Sequence, residues 1–271
     1  MPELPEVETT RRGLAPWLEG QRIERLVVRQ RQLRWPIPRD MPQRLAGQTV
    51  TALDRRGKYL LMRTGAGTAL MHLGMSGSMR ILPAGTTPGR HDHFDLVLGA
   101  DRCVRFSDPR RFGALLWTAR DPLRHPLLAS LGPEPLGPGF DGEYLWQRTR
   151  GRRVAIKVLL MNAAIVVGIG NIYASEALFR AGIDPRRAAS RLSRATLARL
   201  VAAVREVLGE AVALGGTTLR DFHDGHGEPG YFSQQLRVYD RTGQPCRRCG
   251  TPVRHLVQGQ RSTWFCPACQ R

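Results

Sequence analysis

Two sets of residues, at opposite ends of this chain, have types and spacings that chemistry can use. At the carboxy end Cys246-Arg247-Arg248-Cys249 and Cys266-Pro267-Ala268-Cys269 form two C-x2-C pairs with sixteen residues between them. That is the spacing of a four-thiolate structural zinc site. Each pair aims two thiolates at one tetrahedral ion, and the insert has the length of a β-hairpin. Arg254, His255 and Arg261 fall inside it, so a single Zn2+ would hold a basic loop in shape. At the amino end Met1 precedes Pro2, a small residue of the kind after which initiator methionine is removed. Removal leaves a secondary amine, and an α-amino pKa of ~7.7–8.0 keeps a useful fraction neutral and nucleophilic near neutral pH. Its attack on a sugar C1′ would give a permanently cationic iminium, an electron sink, with Glu3 beside it to carry protons.

Further motifs lie between the two ends. Arg56-Gly57-Lys58-Tyr59 puts a lysine at the entrance to a strand. His72-Leu73-Gly74-Met75-Ser76-Gly77 is a turn with two glycines, a histidine and a bulky flexible side chain. Asp108-Pro109-Arg110-Arg111-Phe112-Gly113 is a second turn, with two arginines and an aromatic. Met75, Arg110 and Phe112 have shapes that can fill a gap in a base stack. Gly168-Ile169-Gly170-Asn171 opens a helix, and a helix N-terminus behind glycines suits a phosphate. The three-glycine nucleotide fingerprint is not completed, and no strand–helix–strand alternation surrounds it, which argues against a dinucleotide fold. Taken singly, each of these motifs also reads as a turn with surface charge.

The elements that must position these residues follow from periodicity. Residues 2–19 read as one helix, with Pro5 in its first turn, Glu6 and Glu8 at its positive end, and Val7, Leu14 and Leu18 on one face. From 20 to about 130, short β-forming segments alternate with turns: 22–29, 49–53, 58–63, 68–73, 78–82, 93–98, 103–106 and 112–117. That pattern predicts an antiparallel sandwich or barrel. The stretch 122–142 is rich in Pro, Gly and Leu and reads as a link between domains. Helices are expected over 154–164, over 172–181 with Gly182 as its stop, and over the apolar stripe from Leu197 to Val212 with Ser193 as N-cap. Residues 217–236 read as a loop. The expected division is 1–130, 131–236 and a zinc module at 237–271.

Composition sets the outer bounds. The 271 residues carry 41 Lys+Arg against 23 Asp+Glu, a formal charge of +18, which favours a polyanionic partner. No apolar run approaches the ~20 residues of a membrane span, and no signal peptide is visible. A cytosolic protein is expected, and in a reducing compartment the cysteine pairs read as metal ligands rather than disulfides. Cys103, the fifth cysteine, lies in an apolar strand-like stretch and reads as a core thiol.

Together these motifs resemble the formamidopyrimidine-DNA glycosylase family, bacterial enzymes of 8-oxoguanine repair. The residues that carry the resemblance are Met1 to Glu8, Gly57-Lys58-Tyr59, the 72–77 and 108–113 turns, Val167 to Tyr173, Gly215 to Phe222 and the four cysteines, in order along the chain. The resemblance implies an α+β fold: an N-terminal helix on a two-layer antiparallel β-sandwich, then a helix–two-turn–helix domain, then a C-terminal zinc finger. It implies a bifunctional DNA glycosylase/AP lyase that excises oxidised purines from duplex DNA and cleaves the strand by β,δ-elimination. Pro2 would be the Schiff-base nucleophile and Glu3 would assist sugar ring opening. Lys58 would support β-elimination, and Arg261 would serve δ-elimination and phosphate binding. His72, Asn171 and Tyr239 match phosphate contacts, and His91, Arg110 and Arg152 match other DNA-binding positions. Met75, Arg110 and Phe112 match the triad that fills the space of the everted base. The 217–231 loop matches the one that closes over it. Cys246, Cys249, Cys266 and Cys269 would hold one structural Zn2+. The implied partner is damaged double-stranded DNA, bound by a monomer in the bacterial cytoplasm at the nucleoid. Asn162 departs from the family, which often has Asp there, and puts a local cap in question. Two rivals remain: an oxidised-pyrimidine glycosylase of the same superfamily, which the Leu4-Pro5 start and the full triad disfavour, and a non-enzymatic zinc-ribbon DNA binder, which leaves Pro2, Glu3 and Lys58 unexplained.

Overall fold

The amino-terminal helix α1 (Leu4–Leu18) forms because Pro5 needs no amide partner in the first turn and Glu6 caps it. Its buried stripe is Val7, Thr10, Leu14 and Leu18. The structure is a computed structural model that describes residues 2–99, 101–217 and 232–271. Its elements then run β1 (Ile23–Val28), α2 (Met41–Leu45), β2 (Val50–Arg56), β3 (Tyr59–Thr64), β4 (Gly67–His72), β5 (Ser78–Pro83), β6 (Asp92–Leu98), β7 (Arg102–Ser107), β8 (Ala114–Thr118) and α3 (Pro126–Ala129). After these come α4 (Gly142–Thr149), α5 (Ile156–Leu160), α6 (Asn171–Ala181), α7 (Arg194–Ala213), β9 (Arg254–Gln258) and β10 (Arg261–Phe265). The chain is mixed α+β with antiparallel sheets.

Residues 1–129 with 214–233 make one compact unit, and 130–213 with 234–271 make the other. In the first unit two four-stranded antiparallel sheets, ordered β1-β6-β7-β5 and β2-β3-β4-β8, share one apolar core with α1. Leu26, Leu96, Val104 and Phe94 come from the first sheet, Leu53, Leu60, Met62, Met71 and Leu115 from the second, and Leu14 and Leu18 from the helix. Alternation of apolar and polar residues fixes which face each strand buries, and two-residue turns such as Gly57-Lys58 fix register. Cys103 is fully buried.

The second unit packs α6 against α7 and carries the cysteine module, whose small core is Phe179, Val238, Cys246, Val253, Trp264 and Cys266. Ser193 Oγ accepts the Thr196 N–H at 3.2 Å and caps α7, and Gly182 closes α6 at φ +70°. The helix expected over 154–164 is shorter, at Ile156–Leu160. Ala155 is drawn into a bridge with Ala188, and Val154 O accepts from Ala189 N–H. Asn162 Oδ1 accepts the Ala164 N–H at 3.0 Å, so the side chain caps a turn. Only an acceptor oxygen is needed there, which Asn supplies as well as Asp does. Helix α4, capped by Asp141 Oδ1 on Tyr144 N–H, begins where the proline-rich link ends.

A buried ion pair sits in the first sheet. Arg105 gives Nε and Nη2 to the two oxygens of Asp95 at 2.9 Å each and Nη2 to Thr86 O at 2.7 Å. Arg29 joins from β1's end through Nη1 at 3.0 Å. Burial raises the Asp95 pKa, but the hydrogen bonds from Arg105 and Arg29 outweigh it and hold the carboxyl below its usual range. Arg105→Ala is therefore expected to cost about 3 kcal/mol or more in urea unfolding, because it leaves Asp95 charged and half-partnered. A loss below about 0.5 kcal/mol, the size of an ordinary surface change, would show that the pair contributes nothing.

Candidate functional site

In the first unit the amino terminus is held by its own helix. Pro2 is buried, and Glu3 is only 2% exposed. Glu6 Oε2 accepts the Glu3 N–H at 2.8 Å, and Glu6 Oε1 accepts the Thr217 N–H at 2.7 Å. One carboxylate thus fixes the Pro2-Glu3 dipeptide and the residue that precedes 218–231. The 217–231 loop lies, beyond Thr217, outside the described residues. The Gly216 carbonyl accepts the Phe232 N–H at 3.0 Å.

Lys58 occupies the β2–β3 turn behind Gly57, which takes φ +57°. Tyr59 pairs with His72 across β3 and β4, their rings 4.8 Å apart. His72 Nδ1 accepts the Gly74 N–H at 2.8 Å, so the ring proton rests on Nε2. Burial first, then the Lys58 and Arg34 charges, push the His72 pKa down to about 4. His72 is therefore a neutral N–H donor among cations. Arg34 is an addition to the expected set. It is exposed, stacks on Trp35 at 4.6 Å, and ties its own N–H to Gly113 O at 3.1 Å. Its place in an arginine-rich run hides it in the sequence.

The turns bearing Met75, Arg110 and Phe112 lie against each other. A Cβ at Gly74 would come within 2.4 Å of the Phe112 carbonyl carbon. The Arg110 guanidinium stands 5.2 Å from the Phe112 ring, and Phe112 is 43% exposed, unusual for a phenylalanine. The His91 carbonyl accepts the Asp108 N–H at 2.9 Å, which joins His91 to the same turn.

In the second unit Lys157 is the organising cation. Its Nζ, buried, donates to Asn171 Oδ1 at 2.7 Å, Ser262 O at 2.9 Å and Thr263 Oγ1 at 2.8 Å. It binds the Gly170-Asn171 helix start to strand β10, which begins at Arg261. Arg261 follows the tight Gly259-Gln260 turn, is exposed, and makes no side-chain hydrogen bond or ion pair among the described residues. Tyr239 packs on Trp264 at 4.4 Å, and its N–H, with those of Arg237 and Val238, goes to the buried Glu176 carboxylate at 2.9–3.0 Å. Arg152 is exposed. Nothing in the local sequence of Lys157 or Glu176 marks either as more than a helix residue.

The four cysteine sulfurs lie within 4.8 Å of one another, with Cys246–Cys269 at 3.9 Å and Cys249–Cys266 at 3.5 Å. Four sulfurs at ~2.3 Å from one zinc ion stand about 3.8 Å apart in a tetrahedron, so the site fits Zn2+.

The comparisons with known proteins agree along the whole chain. Residues 1–115 match the formamidopyrimidine-DNA glycosylase N-terminal domain, 131–223 the formamidopyrimidine-DNA glycosylase H2TH domain, and 243–271 the zinc finger found in FPG and IleRS. A formamidopyrimidine-DNA glycosylase of Alkalilimnicola ehrlichii is 58% identical over all of both chains. The crystal structure of the MutM (Fpg) protein from Thermus thermophilus is similar at TM-score 0.89 and 42% identity, covering 99% of this chain and 98% of that one. The Lactococcus lactis Fpg in complex with abasic-site DNA is similar at TM-score 0.92 and 32% identity, covering 99% of each.

The geometry of His72 sets its titration. Its folded pKa lies below the ordinary 6.5, so between about 6.5 and 4 the unfolded chain binds the extra proton. The His72 contribution is present above that window and lost as pH falls through it. An NMR titration should find the His72 ring still neutral at about pH 5. His72→Asn, which keeps an acceptor for Gly74, should flatten the pH dependence of stability in that window. A His72 midpoint near 6.5 would contradict the buried neutral donor.

Proposed function

The chain belongs to the formamidopyrimidine-DNA glycosylase family, whose members are DNA glycosylase/AP lyases that excise oxidised purines, and from that premise we infer which of its residues perform each part of the reaction. The chain is such an enzyme, carries one structural zinc site, and acts in DNA repair. The observation that carries the assignment is the buried Pro2-Glu3 dipeptide clamped by Glu6. Once Met1 is removed, the prolyl nitrogen is a secondary amine, a nucleophile able to form an iminium with a sugar C1′.

The target nucleotide leaves the stack, at a cost of about a few kcal/mol. Met75, Arg110 and Phe112 fill the space it vacates. Pro2 N bonds to C1′ as the base departs, and Glu3 passes protons to and from the opening sugar. The resulting iminium acidifies C2′. Loss of that proton breaks the C3′–O bond, a second elimination breaks C5′–O, and water hydrolyses the iminium to free Pro2 and the sugar fragment, leaving phosphate on both sides of a one-nucleotide gap. Lys58 serves the first elimination and Arg261 the second. Lys58, the neutral His72, His91 and Arg110 from the first unit, and Arg152, Asn171, Tyr239 and Arg261 from the second, bind the DNA. Zinc takes no part in bond breaking: it shapes the hairpin behind Arg261. A charge of +18 suits this partner. The described residues include no helix long and apolar enough to cross a membrane. We propose that the protein works as a monomer in the cytoplasm, on nucleoid DNA.

The test is an enzyme whose amino terminus is blocked by a retained extension. Excision of 8-oxoguanine from duplex should fall by about two orders of magnitude or more, with lesion-DNA binding largely kept. Full excision by the blocked enzyme would remove Pro2 from the mechanism.

A further inference from the structure

We propose that Asp108 is the positioning residue of the wedge: its buried carboxylate locks the Met75 turn to the Arg110–Phe112 turn, so that the three side chains enter the base stack as one rigid body. The inference rests on the reading of Met75, Arg110 and Phe112 as the wedge.

Asp108 is 0% exposed. Its Oδ1 accepts the Ser76 hydroxyl at 2.7 Å and the Arg110 N–H at 3.3 Å, and its Oδ2 accepts the Gly113 N–H at 2.8 Å. Ser76 follows Met75, and Arg110 and Gly113 bracket Phe112, so all three side-chain bonds end on the wedge turns. The Asp108 main chain extends the frame. Its N–H goes to His91 O at 2.9 Å, and its carbonyl accepts from His93 Nε2 at 2.6 Å. Arg111 reverses the chain at φ +58°, a conformation that non-glycine residues seldom adopt. Such a turn persists only where its surroundings over-determine it.

A carboxylate suits this place for a specific reason. Every partner of the side chain is a donor, and a carboxylate only accepts. Burying it is costly unless its oxygens are filled, and here they are. An amide of the same shape would turn an N–H toward one of those donors. A residue that merely filled a turn would tolerate that exchange. A residue that couples two turns would lose the coupling while the sandwich stayed folded, because no partner of the carboxylate belongs to the apolar core.

The test compares Asp108→Asn, Ser76→Ala and Phe112→Ala on two substrates: a duplex containing 8-oxoguanine, where a stacked base must be displaced, and a preformed abasic site in single-stranded DNA, where none is. Single-turnover rates are measured after confirming an unchanged thermal midpoint. Asp108→Asn should slow duplex excision by about tenfold, the worth of a buried charged hydrogen bond, and leave abasic-site cleavage within about twofold of wild type. Ser76→Ala should show the same selectivity at about threefold, and it decides the matter if Asp108→Asn does not fold. If Phe112→Ala is selective and the other two variants lose both activities equally, or neither, Asp108 is an ordinary structural residue and the inference falls alone. If Phe112→Ala shows no selectivity, the wedge reading fails first and the inference fails with it.

Discussion

The buried carboxylate of Glu6 is the contact on which the amino-terminal site depends. It accepts one amide three residues away, at Glu3, and another 211 residues away, at Thr217. A carboxylate can do this because it offers only acceptors and can fill both oxygens from main-chain donors. A buried charge so paired is costly to disturb. The helix contributes as well: Glu6 stands in the first turn of α1, where the dipole favours an anion. Gly216 completes the arrangement. Its backbone takes φ +82°, and a Cβ there would come within 2.9 Å of Glu6 Oε1, so glycine is required on two counts.

The same device recurs in both units. Asp108 gathers donors from two turns, Lys157 gathers acceptors from a helix start and a strand, and Glu176 gathers three consecutive amides ahead of the cysteine module. Burial holds the Glu176 pKa above its ordinary value, and the three amide bonds offset only part of that rise. In each case one buried polar side chain ties together separate stretches of main chain. Phe112 and Arg261, which would meet DNA, stand exposed beside two of these supports, and Arg152 is exposed as well. Zinc does for the last hairpin what the buried ions do elsewhere, with four thiolates in place of hydrogen bonds.

Much of this is legible in the sequence, for physical reasons. Eight short β-forming runs punctuated by glycine lie close to the eight strands of the sandwich, because alternation and turn chemistry are local properties. The cysteine spacing predicts the sulfur cluster, since ligand geometry constrains only a few residues. Periodicity overstates the length of helix α5, because Ala155 follows a long-range bridge rather than its own propensity. Helix α4 is hidden behind a proline- and glycine-rich approach. The supports are illegible for a different reason. Glu6 reads as a helix-start acid, Asp108 as a turn residue and Lys157 as a helical lysine, and each acquires its role only from partners distant in the chain. Likewise the neutral state of His72 comes from burial beside Lys58 and Arg34, which no local pattern reveals.

The prolyl nitrogen held in place through Glu6 is proposed as the atom that bonds to the sugar. Borohydride reduction during turnover of an 8-oxoguanine duplex freezes that bond, and mass spectrometry of the digested crosslink identifies the residue. The expected product is DNA attached to the amino-terminal peptide that begins at Pro2. Attachment to Lys58, or to any other lysine as the main site, would contradict it.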